Sequence, residues 1–342
     1  MRHVNIPIFI PHLGCPNQCV FCNQRSISGV DKFDPSSVRD IIDRALMTVS
    51  KDDNVEIAFF GGSFTGIDRE LMLELLSIGK SYIGKGLVNA LRCSTRPDYI
   101  DEEIIDILKR YGMKTVELGL QSSSDEVLES AKRGHYFEAE KKACEMIVNS
   151  GINLVGQMMI GLPGADLESE LETARFIINA GARAARIYPT VVFRDTELCK
   201  MMEHGIYEPI SIDAAVSRSA KVFSLFVENG VDVLRIGLHS SERLVSEETY
   251  AAGPNHPALG ELVIGEYYYE KIRNNLYLSP CDKDEKIDIL VSRGSLSKAI
   301  GQNGKNKNRL KDEFSNIRFA ESDDISGYEI SVITRNGENK CT

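Results

Sequence analysis

Three cysteines near the start of the chain constrain its fold and chemistry more than any other feature. Cys15, Cys19 and Cys22 fall within eight residues in the spacing C-x3-C-x2-C, whereas the other five of the eight cysteines occur singly. Cuboidal iron–sulfur clusters are held by cysteine thiolates, normally four. Three close thiolates would hold three irons and leave the fourth iron open. The spacing therefore predicts a cluster that can bind a substrate or cofactor as well as transfer electrons.

The segment before these cysteines indicates where the cluster lies in the fold. Residues 6–10, Ile-Pro-Ile-Phe-Ile, are typical of a short buried strand. The cysteines would then occupy the loop that leaves the carboxyl end of a first strand. In barrel enzymes this is the end where active sites lie.

Zinc binding and chance are the simpler explanations of the cysteines. A closed zinc site needs four ligands, commonly two cysteine pairs. His12 is a candidate fourth ligand, but the sequence holds no second pair. A disulfide framework is disfavoured in a chain of 342 residues without a signal-peptide pattern. A cluster remains the favoured interpretation.

The cysteine loop resembles that of the radical S-adenosylmethionine (radical SAM) superfamily. Members of this superfamily carry C-x3-C-x-aromatic-C, and Phe21 supplies the aromatic residue here. The resemblance implies a 4Fe-4S cluster whose open iron binds the amino and carboxylate groups of SAM. It further implies reductive cleavage of SAM to a 5′-deoxyadenosyl radical, chemistry that the cofactor carries while the protein positions it.

Composition and charge limit the partners that we expect. Hydrophobic residues make up 42% of the chain and charged residues 26%, as in ordinary soluble globular proteins. No apolar run reaches membrane-spanning length, so we expect no membrane association. The cytoplasm is the expected compartment, because reducing conditions suit a low-potential cluster and free cysteines. The net charge of −10 argues against general nucleic-acid binding and against DNA, but it allows a local basic patch.

Strand and helix patterns alternate along most of the chain. After the first strand we predict strands at residues 55–60, 88–92, 115–120, 152–160 and 185–193, with a candidate seventh at 231–237. Predicted helices lie between them, at residues 34–49, from 68 onward, 101–111, 125–131, 137–149, 167–180 and up to about 229. Repeated βα units favour an α/β fold with a parallel sheet, a partial (β/α)6 TIM-like barrel.

Five motifs resemble one branch of the superfamily, that of the Elongator catalytic subunit, which modifies wobble uridine in tRNA. They are residues 95–99 (TRPDY), 116–122 (VELGLQS), 132–135 (KRGH), 158–164 (MMIGLPG) and 186–190 (RIYPT). Residues 253–262 resemble a C-terminal segment of Elongator-like proteins. The Elongator subunit also carries an acetyltransferase domain. This chain ends too early to hold one, so we do not carry over the carboxymethylation reaction.

The resemblance, including the pattern of oxygen-independent coproporphyrinogen oxidase, implies SAM contacts beyond Phe21. These candidate cofactor-binding residues are Gly61, Gly62, Ser63, Gln121, Arg133 and Gln157. The glycines would allow close approach to the SAM amino group. Arg133 would suit the carboxylate because its fork binds both oxygens. Gln157 stands where that family has an acid, and Ser94 stands where relatives have a glutamate, which leaves the ribose contact open. Without the cysteine loop, the glycines would indicate only a tight turn.

The character of the chain changes near residue 280. Residues 286–311 carry seven basic side chains and one acid. Within them, residues 295–310 resemble a KH domain, whose Gly-x-x-Gly loop clamps single-stranded RNA. The implied RNA-binding residues are Gly301, Gln302, Asn303, Gly304, Lys305, Lys307 and Arg309. The simpler alternative is a helix–turn–helix with a solvated basic face.

We therefore predict a radical SAM core with its extension at residues 1–265, a linker at 266–282, and a small α+β KH-like domain at 283–336 with a frayed tail after it. The predicted function is radical modification of a tRNA or rRNA nucleotide. A low-potential donor such as flavodoxin or ferredoxin would supply the electron. The alternatives are a radical SAM enzyme acting on a small molecule such as a porphyrin precursor, and a non-enzymatic RNA-binding iron–sulfur protein.

Overall fold

Seven parallel strands form the central sheet, and their spatial order follows the chain. The structure, a computed structural model, describes residues 2–10, 13–15, 19–23, 33–238, 246, 248–278, 283–334 and, for the backbone only, 337–341. The first nine strands are β1 (His3–Phe9), β2 (Asn54–Phe60), β3 (Ala90–Thr95), β4 (Met113–Gln121), β5 (Asn153–Ile160), β6 (Ala184–Pro189), β7 (Val192–Phe193), β8 (Asp232–Ile236) and β9 (Tyr250–Ala252). The sheet runs β1-β2-β3-β4-β5-β6-β8, which confirms the parallel α/β fold and the seventh strand.

Helices cover one face of this sheet. They are α1 (Val38–Leu46), α2 (Arg69–Gly84), α3 (Glu102–Arg110), α4 (Asp125–Ser130), α5 (Phe137–Asn149), α6 (Leu167–Asn179), α7 (Glu197–Glu203), α8 (Ile212–Glu228) and α9 (Leu259–Leu278). Side chains alternate across each strand, so Leu91 and Cys93 of β3 pack into the helix-covered core. Arg92 and Ser94 lie on the opposite, concave face. None of the helices in the described ranges is long and apolar enough to span a membrane.

The predicted sixth strand is shorter than expected. It ends at Pro189, and Val192–Phe193 pair instead with β9 in a separate antiparallel pair. In the sequence only Pro189 and Thr190 separate the apolar residues of the sixth strand from residues 191–193, which are apolar because β7 is itself buried. Periodicity alone does not mark the break between two buried strands.

The C-terminal part contains a β-α-α-β unit with a Gly-x-x-Gly loop between its helices. Its elements are β10 (Lys286–Ser292), α10 (Leu296–Ile300), α11 (Lys305–Lys311), β11 (Asn316–Ser322), β12 (Ile330–Thr334) and β13 (Gly337–Cys341). The sheet order is β11-β10-β12-β13, with β10 and β11 parallel. The backbone of β13 pairs with β12, so this stretch of the expected frayed tail is an added strand.

Helix α9 joins the two parts. It continues to Leu278 through most of the segment expected to be a linker. Val263 and Tyr268 of α9, Phe223 of α8 and Ile289 of β10 belong to one continuous apolar core. The small domain therefore packs directly on the barrel helices.

Candidate active site

The cysteine loop rests on the turn that follows β2. The Leu13 carbonyl accepts a hydrogen bond from the Ser63 backbone N–H at 3.2 Å. A Cβ on Gly62 would lie 2.5 Å from the Leu13 oxygen, and Gly14 has φ +74° with Ser63 backbone directly against it. The loop can approach this closely only because both positions are glycine.

A second anchor holds the middle of the loop. The Val20 N–H donates to the Ala131 carbonyl at 3.1 Å, and its own carbonyl accepts from the Leu198 N–H at 2.8 Å. These bonds tie the loop to the end of α4 and the start of α7. Phe21 packs beside them against an apolar cluster that includes Leu162. The aromatic position of the motif thus has a packing role in this structure.

Ser63 connects two strand ends rather than facing open space. Its side chain is fully buried. The Ser63 and Thr95 hydroxyls lie 2.8 Å apart, and the Arg96 N–H donates to Ser63 Oγ at 3.2 Å. This set fixes the carboxyl ends of β2 and β3 beside the cysteine loop.

Two arginines approach the middle cysteine. Cys19 is buried, whereas Cys15 is exposed and Cys22 half-buried. Arg133 Nη1 lies 3.2 Å from Cys19 Sγ, and Arg96 Nη1 lies 3.9 Å from it. A thiolate ligand at Cys19 would therefore receive both hydrogen bonds and positive charge.

Arg96 is held by three neighbours. Its Nε and Nη2 each donate to one oxygen of Asp98 at 2.9 Å. Nη2 also lies 2.5 Å from the Arg133 carbonyl and 3.1 Å from His135 Nδ1. His135 Nε2 in turn lies 3.1 Å from the buried Glu140 carboxylate. The sequence motifs contained Arg96, Asp98 and His135, but gave no signal that they form one network.

Gln121 and Arg133 retain unused polar atoms toward the concave side of the sheet. Gln121 ends β4 with φ +71°, a conformation that non-glycine residues rarely adopt. Its Oε1 and the Arg133 Nε are buried without a hydrogen-bond partner in the described ranges. Arg133 Nη2 donates to the Gly119 carbonyl. A donor and an acceptor left unpaired beside the cysteines fit a polar ligand at this place.

A charged network crosses the concave face below this point. Glu117 of β4 accepts from Arg92 of β3 at 2.8 Å and from Arg186 of β6 at 2.7 Å. Gln157 of β5 donates to Glu117 at 2.8 Å and to Ser94 at 3.3 Å. Gln157 and Ser94, the two positions that depart from the family pattern, thus lie in contact with each other.

The charge state of Glu117 follows from its partners. Burial alone would raise the pKa of this carboxyl, but Arg186 and Arg92 outweigh burial and hold the pKa below its usual range. Glu117 is 1% exposed, so the carboxylate is ionised and paired inside the barrel. Such a buried pair is costly to break from one side.

The remaining described cysteines do not extend the ligand set. Cys93 and Cys144 lie in the helix-covered core, and the Cys199 thiol donates to the Glu203 carboxylate at 3.7 Å. No three His, Cys, Asp or Glu side chains within the described ranges converge on a position for a single metal ion. A cuboidal cluster instead takes each thiolate on a different iron. His12, the possible zinc ligand, lies outside the described residues.

Comparison with family models decides the class of the site. Residues 9–177 match the model of the radical SAM superfamily, and residues 182–269 match that of the radical SAM C-terminal domain. The chain belongs to the radical SAM superfamily. Its members are enzymes, and they bind a 4Fe-4S cluster and SAM. In this radical SAM protein Cys15, Cys19 and Cys22 would hold the cluster, and the spare atoms of Gln121 and Arg133 fit SAM.

Relatives of this radical SAM protein include tRNA-modifying enzymes. The tRNA uridine(34) acetyltransferase of Methanocaldococcus jannaschii is 35% identical over 130 residues, 37% of this chain and 24% of that protein. Human Elongator complex protein 3 is 25% identical over 295 residues, 74% of this chain and 53% of that protein. This chain thus spans about a quarter to a half of the length of these relatives.

A solved structure shows the same fold. Archaeal Elp3 from Methanocaldococcus infernus, with an N-terminal deletion, superposes with a TM-score of 0.61 at 22% identity, over 79% of this chain and 63% of that one. The fold expectation of a partial TIM-like radical SAM barrel is therefore confirmed.

The chemistry of the site divides between cofactor and protein. When bound, the cluster and SAM supply a 5′-deoxyadenosyl radical. The chain's own part is to fix the loop on the glycine turn, to donate hydrogen bonds to Cys19 from Arg133 and Arg96, and to join β3, β4, β5 and β6 on the concave face through the Glu117 network.

Proposed function

We propose that this radical SAM enzyme modifies a nucleotide of RNA, in tRNA or rRNA. A low-potential one-electron donor of the flavodoxin or ferredoxin type would reduce its cluster. The names of the related proteins support an RNA substrate, since one of them is a tRNA uridine acetyltransferase. The group that is transferred does not follow from those names, because the match covers only part of each relative.

The observation that carries the RNA assignment is the Gly-x-x-Gly loop. Gly301 and Gly304 both have positive φ, +80° and +74°, and lie between α10 and α11. Gln302 and Asn303 between them are exposed. KH domains use such a loop between two short helices to hold a single-stranded backbone. A parallel β-α-α-β frame around the loop, as here, supports the same interpretation.

The charges around this loop are of two kinds. The side chains of Lys298, Lys305 and Lys307 form no ion pair or hydrogen bond with the described residues. Arg309, in contrast, donates to Glu266 at 2.6 Å and stacks on Tyr269 with its guanidinium carbon 3.4 Å from the ring centroid. We therefore assign RNA contact to the three lysines and the loop backbone, and domain docking to Arg309.

RNA affinity tests this assignment. The triple substitution Lys298→Ala, Lys305→Ala and Lys307→Ala should weaken binding to unstructured RNA at least tenfold. It should also flatten the salt dependence, by about 0.7 in slope for each phosphate that the protein no longer neutralises. The triple substitution Lys51→Ala, Lys109→Ala and Lys114→Ala is the control for the change in net charge, because it also removes three positive charges and all three lysines are exposed on the barrel. Unchanged affinity in the first triple variant would exclude RNA binding at this loop.

Nucleoside analysis tests the reaction itself. Digested tRNA and rRNA from cells with and without the gene should differ by one modified nucleoside. A Cys19→Ala gene should fail to restore it. If both RNA pools are unchanged while the protein still cleaves SAM to 5′-deoxyadenosine, the result favours the small-molecule alternative. If the reconstituted, reduced protein does not cleave SAM, the non-enzymatic alternative replaces both.

A further inference from the structure

Arg96 lies beside the cluster ligands but differs from Arg133 in what it can still bind. Arg96 is 4% exposed, and Cys19 is 8% exposed. Arg133 keeps a buried Nε–H without a described partner. Arg96 uses its Nε and Nη2 on Asp98, with Nη2 also against His135. Only its Nη1 remains, and this atom lies toward Cys19 at 3.9 Å.

The fork of Arg96 is fixed in one orientation. A bidentate carboxylate pair defines the plane of a guanidinium as well as its position. The Arg133 carbonyl and His135 add two further contacts at Nη2, and His135 is itself held by Glu140. The groups that hold the Arg96 guanidinium thus contact its Nε or Nη2, and Nη1 approaches Cys19.

The ion pair between Arg96 and Asp98 has its positive group nearer to Cys19 than its negative group. The Asp98 side chain is 25% exposed and lies on the outer edge of the pair, whereas the Arg96 side chain is 5% exposed. The positive end of the pair is therefore the end nearest the cysteine sulfur. Charges interact more strongly in such a buried site than in water. Adding one electron makes a cluster more negative, and N–H donors to its sulfurs favour the reduced state.

We propose that Arg96 is a positioning residue that raises the reduction potential of the cluster through Cys19. Asp98 and His135 fix its orientation, and Arg96 acts through Cys19 rather than directly on SAM or the substrate. The electron comes from the low-potential one-electron donor. No bond of the protein is made or broken, and no proton moves. The proposal depends on the cysteine site of the superfamily and holds for an RNA or a small-molecule substrate.

The midpoint potential of the cluster tests the proposal. Arg96→Gln keeps an amide donor but removes the charge, and the full chain would be reconstituted anaerobically and titrated by electron paramagnetic resonance without SAM. We expect one-electron reduction to become about tenfold less favourable, a potential lower by about 59 mV. Lys132→Gln is the control, since Lys132 precedes Arg133 in the sequence but pairs with Glu197 at the surface, with 57% of its side chain exposed. Its potential should match the wild type.

Two outcomes would overturn the proposal. One is an unchanged potential in Arg96→Gln with full iron and sulfide content. The other is an equal shift in Lys132→Gln, which would indicate a general charge effect. If Arg96→Gln does not hold the cluster, Arg96→Lys decides. A lysine keeps the charge but lacks the fork, so pairing with Asp98 would withdraw it from Cys19. A lowered potential supports the proposal, and an unchanged one rejects it.

Discussion

Arg186 on the sixth strand lies across the concave face from Phe60 on the second, with its guanidinium carbon 5.9 Å from the ring centroid. Three strands separate β2 from β6 in the sheet order. Adjacent strands lie about 4.8 Å apart, so a flat sheet would keep these side chains much farther from each other. The contact therefore shows that the sheet is strongly curved, and the same curvature brings Arg186 close to Glu117.

We expect Glu117→Gln to destabilise the protein strongly. The substitution removes the carboxylate between Arg92 and Arg186 and leaves buried charge uncompensated, which costs about 3 kcal/mol or more. Glu103→Gln is the control, because Glu103 pairs with Arg69 at 71% side-chain exposure and should cost less than about 1 kcal/mol. Anaerobic urea unfolding measures both. Similar free energies of unfolding for the two variants would contradict the prediction.

A glycine under the cysteine loop should control cluster loading. Gly62→Ala places a Cβ 2.5 Å from the Leu13 oxygen and 2.9 Å from the Ile10 oxygen, both backbone atoms. The loop must shift, at a cost of about 1–3 kcal/mol. Iron and sulfide per chain after reconstitution should fall. Gly84→Ala, with nothing within 4 Å of the new Cβ, should bind the normal amount of iron and sulfide. Equal iron and sulfide content in the two variants would contradict the prediction that the close contact between Gly62 and the cysteine loop controls cluster binding.

His135 should make the stability depend on pH. Burial, with the nearby Arg133 charge, lowers the pKa of His135 to about 4. The ordinary value in an unfolded chain is about 6.5. Between these values the unfolded chain binds a proton that the folded chain does not, so folding stability falls as the pH falls.

His135→Gln offers the matched comparison. Glutamine can accept from Arg96 and donate to Glu140 but does not titrate. Burial raises the pKa of Glu140 well above its usual range. Because Glu140 is present in both proteins, its own titration largely cancels. The advantage of wild type over His135→Gln should shrink between about pH 7 and about pH 5 in urea unfolding. An advantage that stays constant or grows would show that His135 is protonated in the folded state.

Arg309 should hold the Gly-x-x-Gly loop against α9. Arg309→Gln removes the bond to Glu266 and the stacking on Tyr269, worth about 1–2 kcal/mol together. Amide exchange over residues 301–311 should become roughly tenfold faster. Arg318→Gln, an exposed arginine on β11, should leave exchange unchanged. Unaltered amide exchange in Arg309→Gln would show that Arg309 does not hold the loop, and Arg309 would again be a candidate RNA-binding residue.

Local sequence patterns predicted most of the helices and strands. They also predicted that the cysteine site lies at the carboxyl end of the parallel sheet. Period-two and apolar runs located most strands, and the cysteines follow β1 as expected, because parallel strands place their following loops at one edge. The Arg96–His135 contact joins residues 39 apart in sequence. No short pattern encodes it, since it depends on the loop after β3 meeting the turn after α4. The docking of Arg309 escaped prediction for a related reason: its partner Glu266 lies in the segment expected to be a linker.

Helix α9 also determines how the protein can be divided. Its side chains complete the apolar core of the barrel helices and that of the small sheet at once. A cut within residues 266–278 would expose both halves of this core, so fragments separated there should aggregate. The two parts should also melt in a single cooperative transition rather than in sequence. A fragment that carries the Gly-x-x-Gly loop needs α9 to fold, and a barrel fragment needs the same helix. We therefore expect the two parts, which share one apolar core, to unfold as a single unit.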